Sequence, residues 1–130
     1  MNTFRHADVV VNLSSSVTVD SCVAGRPVVS LDFDPHPDGS HDSLVKAINR
    51  TWPHFSPIAN SGGVWMARNY EDLMVALRTY LKTPSLHADE RAWVAEFVCG
   101  KLDGRSGARL AASVMEGIAG TPWQGHRCEA

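Results

Sequence analysis

Cysteine is scarce in this sequence: Cys22, Cys99 and Cys128 are odd in number and widely spaced. That excludes a disulfide framework, and without a CxxC pair no thiolate metal or dithiol site has a basis. An excess of one charge is missing too, since 12 Lys and Arg stand against 14 Asp and Glu, for a net charge of −2 and a pI near 6.3. The chain therefore lacks the basic footprint of a nucleic-acid or anionic-membrane binder. No apolar run approaches the roughly 18 residues of a spanning helix. The first residues, Met1 to Asp8, lack the basic start and apolar stretch of a signal peptide. Repeats and low-complexity segments are also absent. These absences make a reducing, cytoplasmic setting the expectation. What is present is ordinary globular composition, 44% apolar and 20% charged over 130 residues. That is room for one domain, burying roughly two thirds of its unfolded surface.

The first third has the clearest pattern. Asp8 to Leu13 holds a short β-branched run that reads as a buried strand. Ser14, Ser15 and Ser16 suit a strand-to-helix turn, because hydroxyls cap free helix amides. Val17 to Ala24 then reads as a short helix ended by Gly25, with Pro27 two places on. Pro27 to Leu31 is a second strand. Strand, helix and strand make a βαβ unit with parallel strands and a right-handed crossover. Further on, the pattern predicts a loop from Asp32 to Ser40, a helix from His41 to Arg50, a connection from Trp52 to Gly63 and a strand from Gly63 to Ala67.

The last half is helical by periodicity. Asn69 caps a helix from Tyr70 to Lys82, with Leu73, Met74, Leu77 and Leu81 on its apolar face. A helix from Leu86 to Val98 carries Trp93, Val94, Phe97 and Val98 as its core stripe. The last helix starts at Ser106, buries Leu110, Ala111, Val114, Met115 and Ile118, and ends by Gly120. The tail from 121 to 130 has no periodicity and is expected to be loose. The whole reads as an α/β fold: a partial Rossmann-like three-layer domain over residues 1–120, with a short parallel sheet and a helical C-terminal half. Its thin sheet and early first strand read as a domain missing its front.

In an open parallel sheet, ligands bind beyond the carboxyl ends of the strands. That edge holds Leu13 to Ser16 after the first strand and Asp32 to His36 after the second. A helix beginning at Ser16 presents unpaired amides and the positive end of its dipole there, and serine hydroxyls beside them are donors for a phosphate. Asp20, one turn along, is placed to accept hydrogen bonds from a vicinal diol such as a ribose. Ser16 as a helix cap and Asp20 as an acid favourable near a helix start are the plainer readings of the same residues.

The run Ala7-Asp8-Val9-Val10-Val11, then Ser15 to Ser21, then Ala24-Gly25-Arg26-Pro27-Val28-Val29, resembles the donor domain of GT-B glycosyltransferases. It is most similar to bacterial envelope-polysaccharide glycosyltransferases and CDP-glycerol glycerophosphotransferases. The resemblance continues through Gly62-Gly63-Val64, Glu71-Asp72-Leu73, Leu81-Lys82-Thr83-Pro84, Arg91 and Asp103 to Ser106. It implies a half-enzyme holding a nucleoside-diphosphate donor, UDP- or CDP-linked, without a metal or other cofactor. Ser15 and Ser16 match the family's phosphate-contacting Ser-Thr, and Asp20 falls on its ribose-binding Glu, one methylene shorter. Asp34 and His36 lie where they would reach the donor's sugar. The family's acceptor domain, which usually supplies the catalytic base, has no counterpart in these residues, so the catalytic residues stay unassigned and this chain alone is expected to be inactive. The full enzyme would work in polysaccharide synthesis, with peripheral membrane association. Two other readings stand beside this one: a non-catalytic Rossmann-like ligand-binding or interaction module, and part of a sugar-nucleotide epimerase.

Other constellations read more simply. Asp32-Phe33-Asp34 has the form of a metal-binding DxD but reads as a solvated strand end. Asp34, His36, Asp38, His41 and Asp42 are dense in ligand types but lack a metal-binding spacing such as HExxH, and read as a polar loop. His54 reads as a surface residue. No G-x-S-x-G elbow exists to support a serine hydrolase, and Cys22 reads as buried and inert.

Overall fold

A computed structural model describes residues 2–120 of the chain. They divide between Val98 and Cys99 into two compact units. The first unit is mixed α/β. After a short helix α1 (Asn2–His6) come β1 (Val10–Asn12), α2 (Ser16–Val23), β2 (Val28–Leu31), α3 (Asp42–Thr51), α4 (Ser56–Ala59), β3 (Trp65–Ala67), α5 (Tyr70–Lys82) and α6 (Ala88–Cys99). The three strands form one parallel sheet in the order β1-β2-β3. Val11 is opposite Val29, which is opposite Trp65. The expected βαβ unit is present.

Strand alternation sorts the core into two layers. Val28 packs with Cys22 of α2, Phe55, Ile58 of α4, and Val94 and Ala95 of α6, with Val10 and Met66 against them. Val29 and Leu31 turn the other way, toward Phe33, Ala67, and Ala76 and Tyr80 of α5. Helices thus cover both faces of the sheet, and β2, buried at every position, is its centre. The expectation of a buried first strand is corrected here. β1 lies at the sheet's edge, paired on one side only among the described residues, and Val11 is half exposed.

Local chemistry ends the elements where the residues predict. Gly25 adopts φ +69°, and the amides of Gly25 and Arg26 bond the carbonyls of Cys22 and Ser21, each at 2.9 Å. This is the paired bonding that closes a helix through a left-handed glycine. Asn69 caps α5, its side-chain oxygen accepting from the Asp72 amide at 2.8 Å. The face of α5 turned to the core differs from the expected one. Ala76 and Tyr80 are buried, whereas Met74 and Leu81 are exposed. On α6 the buried residues are Arg91, Val94 and Ala95, while Trp93, Phe97 and Val98 lie half exposed. Both helices carry apolar residues on more than one face, and the face turned inward is the one with Ala76 and Tyr80 on α5 and with Arg91, Val94 and Ala95 on α6.

The second unit contains α7 (Ser106–Ile118). Its start is held by Arg109, which reaches both oxygens of Asp103 at 2.8 and 2.9 Å. The apolar stripe of α7 was expected to be core. Within the described residues Leu110, Val114, Met115 and Ile118 are all exposed, and no residue of the helix is buried. The tail expected to be loose, 121–130, lies outside the described residues.

Candidate site at the carboxyl edge of the sheet

The edge at which β1 and β2 end is built on a polar network. β1 gives way to a turn in which Ser14 has φ +42°, a left-handed conformation that costs a non-glycine residue energy. Tertiary hydrogen bonds hold it there. The Ser14 amide donates to Ser30 Oγ at 3.2 Å, and the Ser14 hydroxyl donates to Asn49 Oδ1. Asn49, 2% exposed, donates in turn to the Leu31 carbonyl at 3.2 Å and to Asp32 Oδ1 at 2.9 Å. Arg50 completes the set with a 3.0 Å bond to Asp32 Oδ2. One network therefore fixes the β1–α2 turn, the end of β2 and α3 together. Thr18 adds a 3.1 Å bond from its hydroxyl to Asn12 Oδ1, tying the first turn of α2 to β1.

On this base sits the start of α2. Ser15 occupies the N-cap position in an extended conformation, φ −133° and ψ 172°, yet its side chain makes no cap hydrogen bond. The Ser15 hydroxyl is thus uncommitted to the helix, and while the Thr18 amide bonds the Ser15 carbonyl at 2.9 Å, the amides of Ser16 and Val17 have no acceptor within the helix. A backbone that offers amides, hydroxyls and a positive dipole end at one place is suited to an anion.

The loop after β2 is ordered by its own carboxylates. Asp34 accepts the amides of His36 at 2.9 Å and of His41 at 2.7 Å. Those bonds, His36 first and His41 second, hold its carboxyl below the ordinary carboxylate range. Asp38 likewise accepts the Ser40 amide at 2.9 Å and contacts His36 Nδ1 at 2.8 Å, and its carboxyl is lowered in consequence. The result is a cavity of about 550 Å3 between this loop, α3 and Leu13, with Pro35, Pro37 and Leu44 among its apolar walls and His36 and His41 on it.

The sequence-predicted residues are distributed as follows. Asp34 and His36 line this cavity, and Leu13 brings the serine turn to it. Ser15 and Ser16 stand at the open start of α2. Asp20 lies one turn along and lines a separate crevice of about 90 Å3 with Phe4 and Arg5 of α1. Asp32 departs from the expectation of a solvated strand end. It is 7% exposed, because Asn49 and Arg50 satisfy it at the sheet edge. No three His, Cys, Asp or Glu side chains among the described residues are grouped to hold a metal ion. His54 is exposed and packs against the Trp52 ring, and Cys22 is buried in the layer beneath α2.

Ser30, Asn49 and Arg50 were missed, and so were the bonds that tie Ser14 of the serine turn to Ser30 and Asn49. Ser30 carried a readable signal, since a hydroxyl within an all-buried strand has to find a partner. Asn49 carried none, because nothing in its neighbourhood in the chain indicates what it will meet. No family model matches this chain, and no curated protein or solved structure matches it either.

Proposed function

We propose that the carboxyl edge of this sheet binds the diphosphate of a nucleotide-activated sugar or polyol phosphate, as the Rossmann-like donor half of a GT-B-type transferase of polysaccharide synthesis. The observation that carries this reading is the uncapped start of α2, with Ser15 and Ser16 beside it, at the end of a parallel strand. The chemistry is electrostatic. Negative charge grows on the departing diphosphate as the donor bond breaks, and donors fixed in advance stabilise it without reorganising. The Ser14–Asn49–Asp32 network supplies that rigidity. Asp34 acts by shaping the loop, its oxygens already taken by backbone amides, while His36 is the loop side chain that meets the sugar. The ribose contact that the resemblance gives Asp20 is not part of this site, because Asp20 lines a separate crevice beside α1.

A second reading, an interaction module that catalyses nothing, is favoured by the open edge of β1, where Val11 is half exposed. Thermal melts with UDP, CDP, GDP and pyrophosphate separate the two. Ligand at about ten times its Kd adds roughly 1.4 kcal/mol, a shift of several degrees for a domain of this size. A shift with one nucleoside diphosphate supports the donor site and identifies its base. A cooperative melt that no nucleotide moves supports the module.

A further inference from the structure

We infer that a second site, for a ligand bearing a guanidinium group, lies at the opposite edge of the sheet. It goes beyond the donor reading and does not depend on it. The turn that enters β3, residues 60–64, meets the first turn of α6 at the amino end of that strand, whereas the serine turn lies at the carboxyl ends. Between them is a cavity of about 540 Å3 lined by Pro57, Asn60, Ser61, Asp89, Glu90 and Trp93. That size suits a small ligand or one long side chain.

The hydrogen-bonding inventory of the cavity is one-sided. Ser61 Oγ already donates to the Ile58 carbonyl at 2.7 Å and accepts the Gly63 amide at 3.0 Å. Asn60 Nδ2 donates to the Ser56 carbonyl at 2.8 Å, which leaves its oxygen open. The Asp89 and Glu90 carboxylates form no ion pair or hydrogen bond with any described residue. The adjacent cation, Arg91, is 2% exposed and gives its guanidinium to the carbonyls of Pro84 and Leu86. The cavity therefore offers acceptors and two uncompensated negative charges. The amino end of α6 opposes a cation with only roughly half a unit charge, so the carboxylates prevail.

The remaining wall selects among cations. Trp93 is 48% exposed, and Phe97 stacks on it at 4.8 Å with the rings 11° apart. Phe97 backs one face of the indole and holds it in place beside the carboxylates. A guanidinium is planar, so it can stack flat on an indole while its rigid fork of donors meets the carboxylates; a compact ammonium has no plane to stack and no fixed fork. The backbone of Glu90 seats against Gly63 so closely that a Cβ there would lie 2.6 Å from the Glu90 carbonyl carbon, which fixes the first turn of α6 against the turn that enters β3.

The test is an NMR titration of the full 15N-labelled chain with N-acetylarginine amide, following the Trp93 indole N–H, identified by its loss in Trp93→Phe. The neutral isostere N-acetylcitrulline amide is the control. The expected result is saturable movement with a Kd of about 1–10 mM for the arginine derivative, weakened at high salt, and none for citrulline. Asp89→Asn/Glu90→Gln, whose two exposed positions leave the fold intact, should weaken binding about tenfold or more. An arginine between glycines in a peptide binding as well as the amide identifies the source as an exposed protein side chain. Weaker binding by the peptide identifies a free small molecule. Equal response to citrulline, unchanged binding in the double variant, or no movement at all would overturn the assignment.

Discussion

Ser14 donates its hydroxyl hydrogen to the side-chain oxygen of Asn49, and that contact joins the β1–α2 turn to α3 across 35 residues of chain. Asn49 in turn holds Asp32, so a single buried amide organises the edge at which the donor site is proposed. Replacing it exposes how much of the edge depends on one residue.

Asn49→Ala should cost about 2–3 kcal/mol, because it leaves the Ser14 hydroxyl and the buried Asp32 carboxylate each short of a partner. Urea unfolding would show a lower midpoint with an unchanged m-value. A change below about 0.5 kcal/mol would mean that water replaces the amide without loss.

Ser15→Ala and Ser16→Ala should behave differently from ordinary cap substitutions. Neither side chain serves as the cap of α2, so stability should change by less than about 0.5 kcal/mol. Diphosphate-induced stabilisation in the thermal melt should fall in both. Retained stabilisation in the double substitution would remove the serines from the anion site.

Gly63→Ala should be costly although the φ of Gly63 is not in the left-handed region. The new methyl would meet three backbone atoms of Glu90 and Arg91 at 2.6 to 2.7 Å, and backbone cannot step aside as a flexible side chain does. A destabilisation of about 2–3 kcal/mol is expected, at the upper end of overpacking costs. Denaturant titration beside Gly107→Ala, where nothing lies within 4 Å, gives the control.

Stability at high pH should depend on Tyr80. The ring is fully buried, and burial raises the phenol pKa above its ordinary 10.0 despite the opposing charge of Arg91. The neutral form is therefore favoured in the folded state. Its contribution is complete below about pH 10 and is lost as pH rises through the folded value. Tyr80→Phe should flatten the stability profile between about pH 9 and 12, and an unchanged slope would assign the alkaline loss elsewhere.

The loop from Phe33 to His41 should loosen in acid. Asp34 has its pKa lowered from 3.8 by the His36 and His41 amides. The stabilisation is present above about pH 4 and disappears as pH falls through the lower folded value. Amide exchange at His36 and His41 should accelerate over that interval, and Asp34→Asn should show the faster exchange already at neutral pH.

Much of the fold was legible in the chain because its determinants are local. The β-branched runs at Val9 to Val11 and Val28 to Leu31, separated by a short helical stretch, are enough for a parallel βαβ unit. The α2 stop at Gly25 and the α5 cap at Asn69 each rest on hydrogen bonds spanning five residues or fewer. The serine turn was legible for the same reason. Asn49 was not, since its partners Ser14, Leu31 and Asp32 all lie far away in sequence.

The sequence by itself determined the order of the main elements from β1 onward and the parallel sense of the βαβ unit, because backbone hydrogen bonding and short-range periodicity set these within a few residues, but it left out the short helices α1 and α4, which carry too few residues to show a period. Only the tertiary structure decided which faces are inside. Trp93 and Phe97 belong to the same apolar stripe as Val94, yet Val94 is buried and they are half exposed. Periodicity gives the spacing of an apolar stripe but not its phase when a helix is apolar on several sides. The same holds for polar burial: Asp32 became a core residue because Asn49 and Arg50 came to meet it, and solvation is decided by such partners rather than by the residue alone.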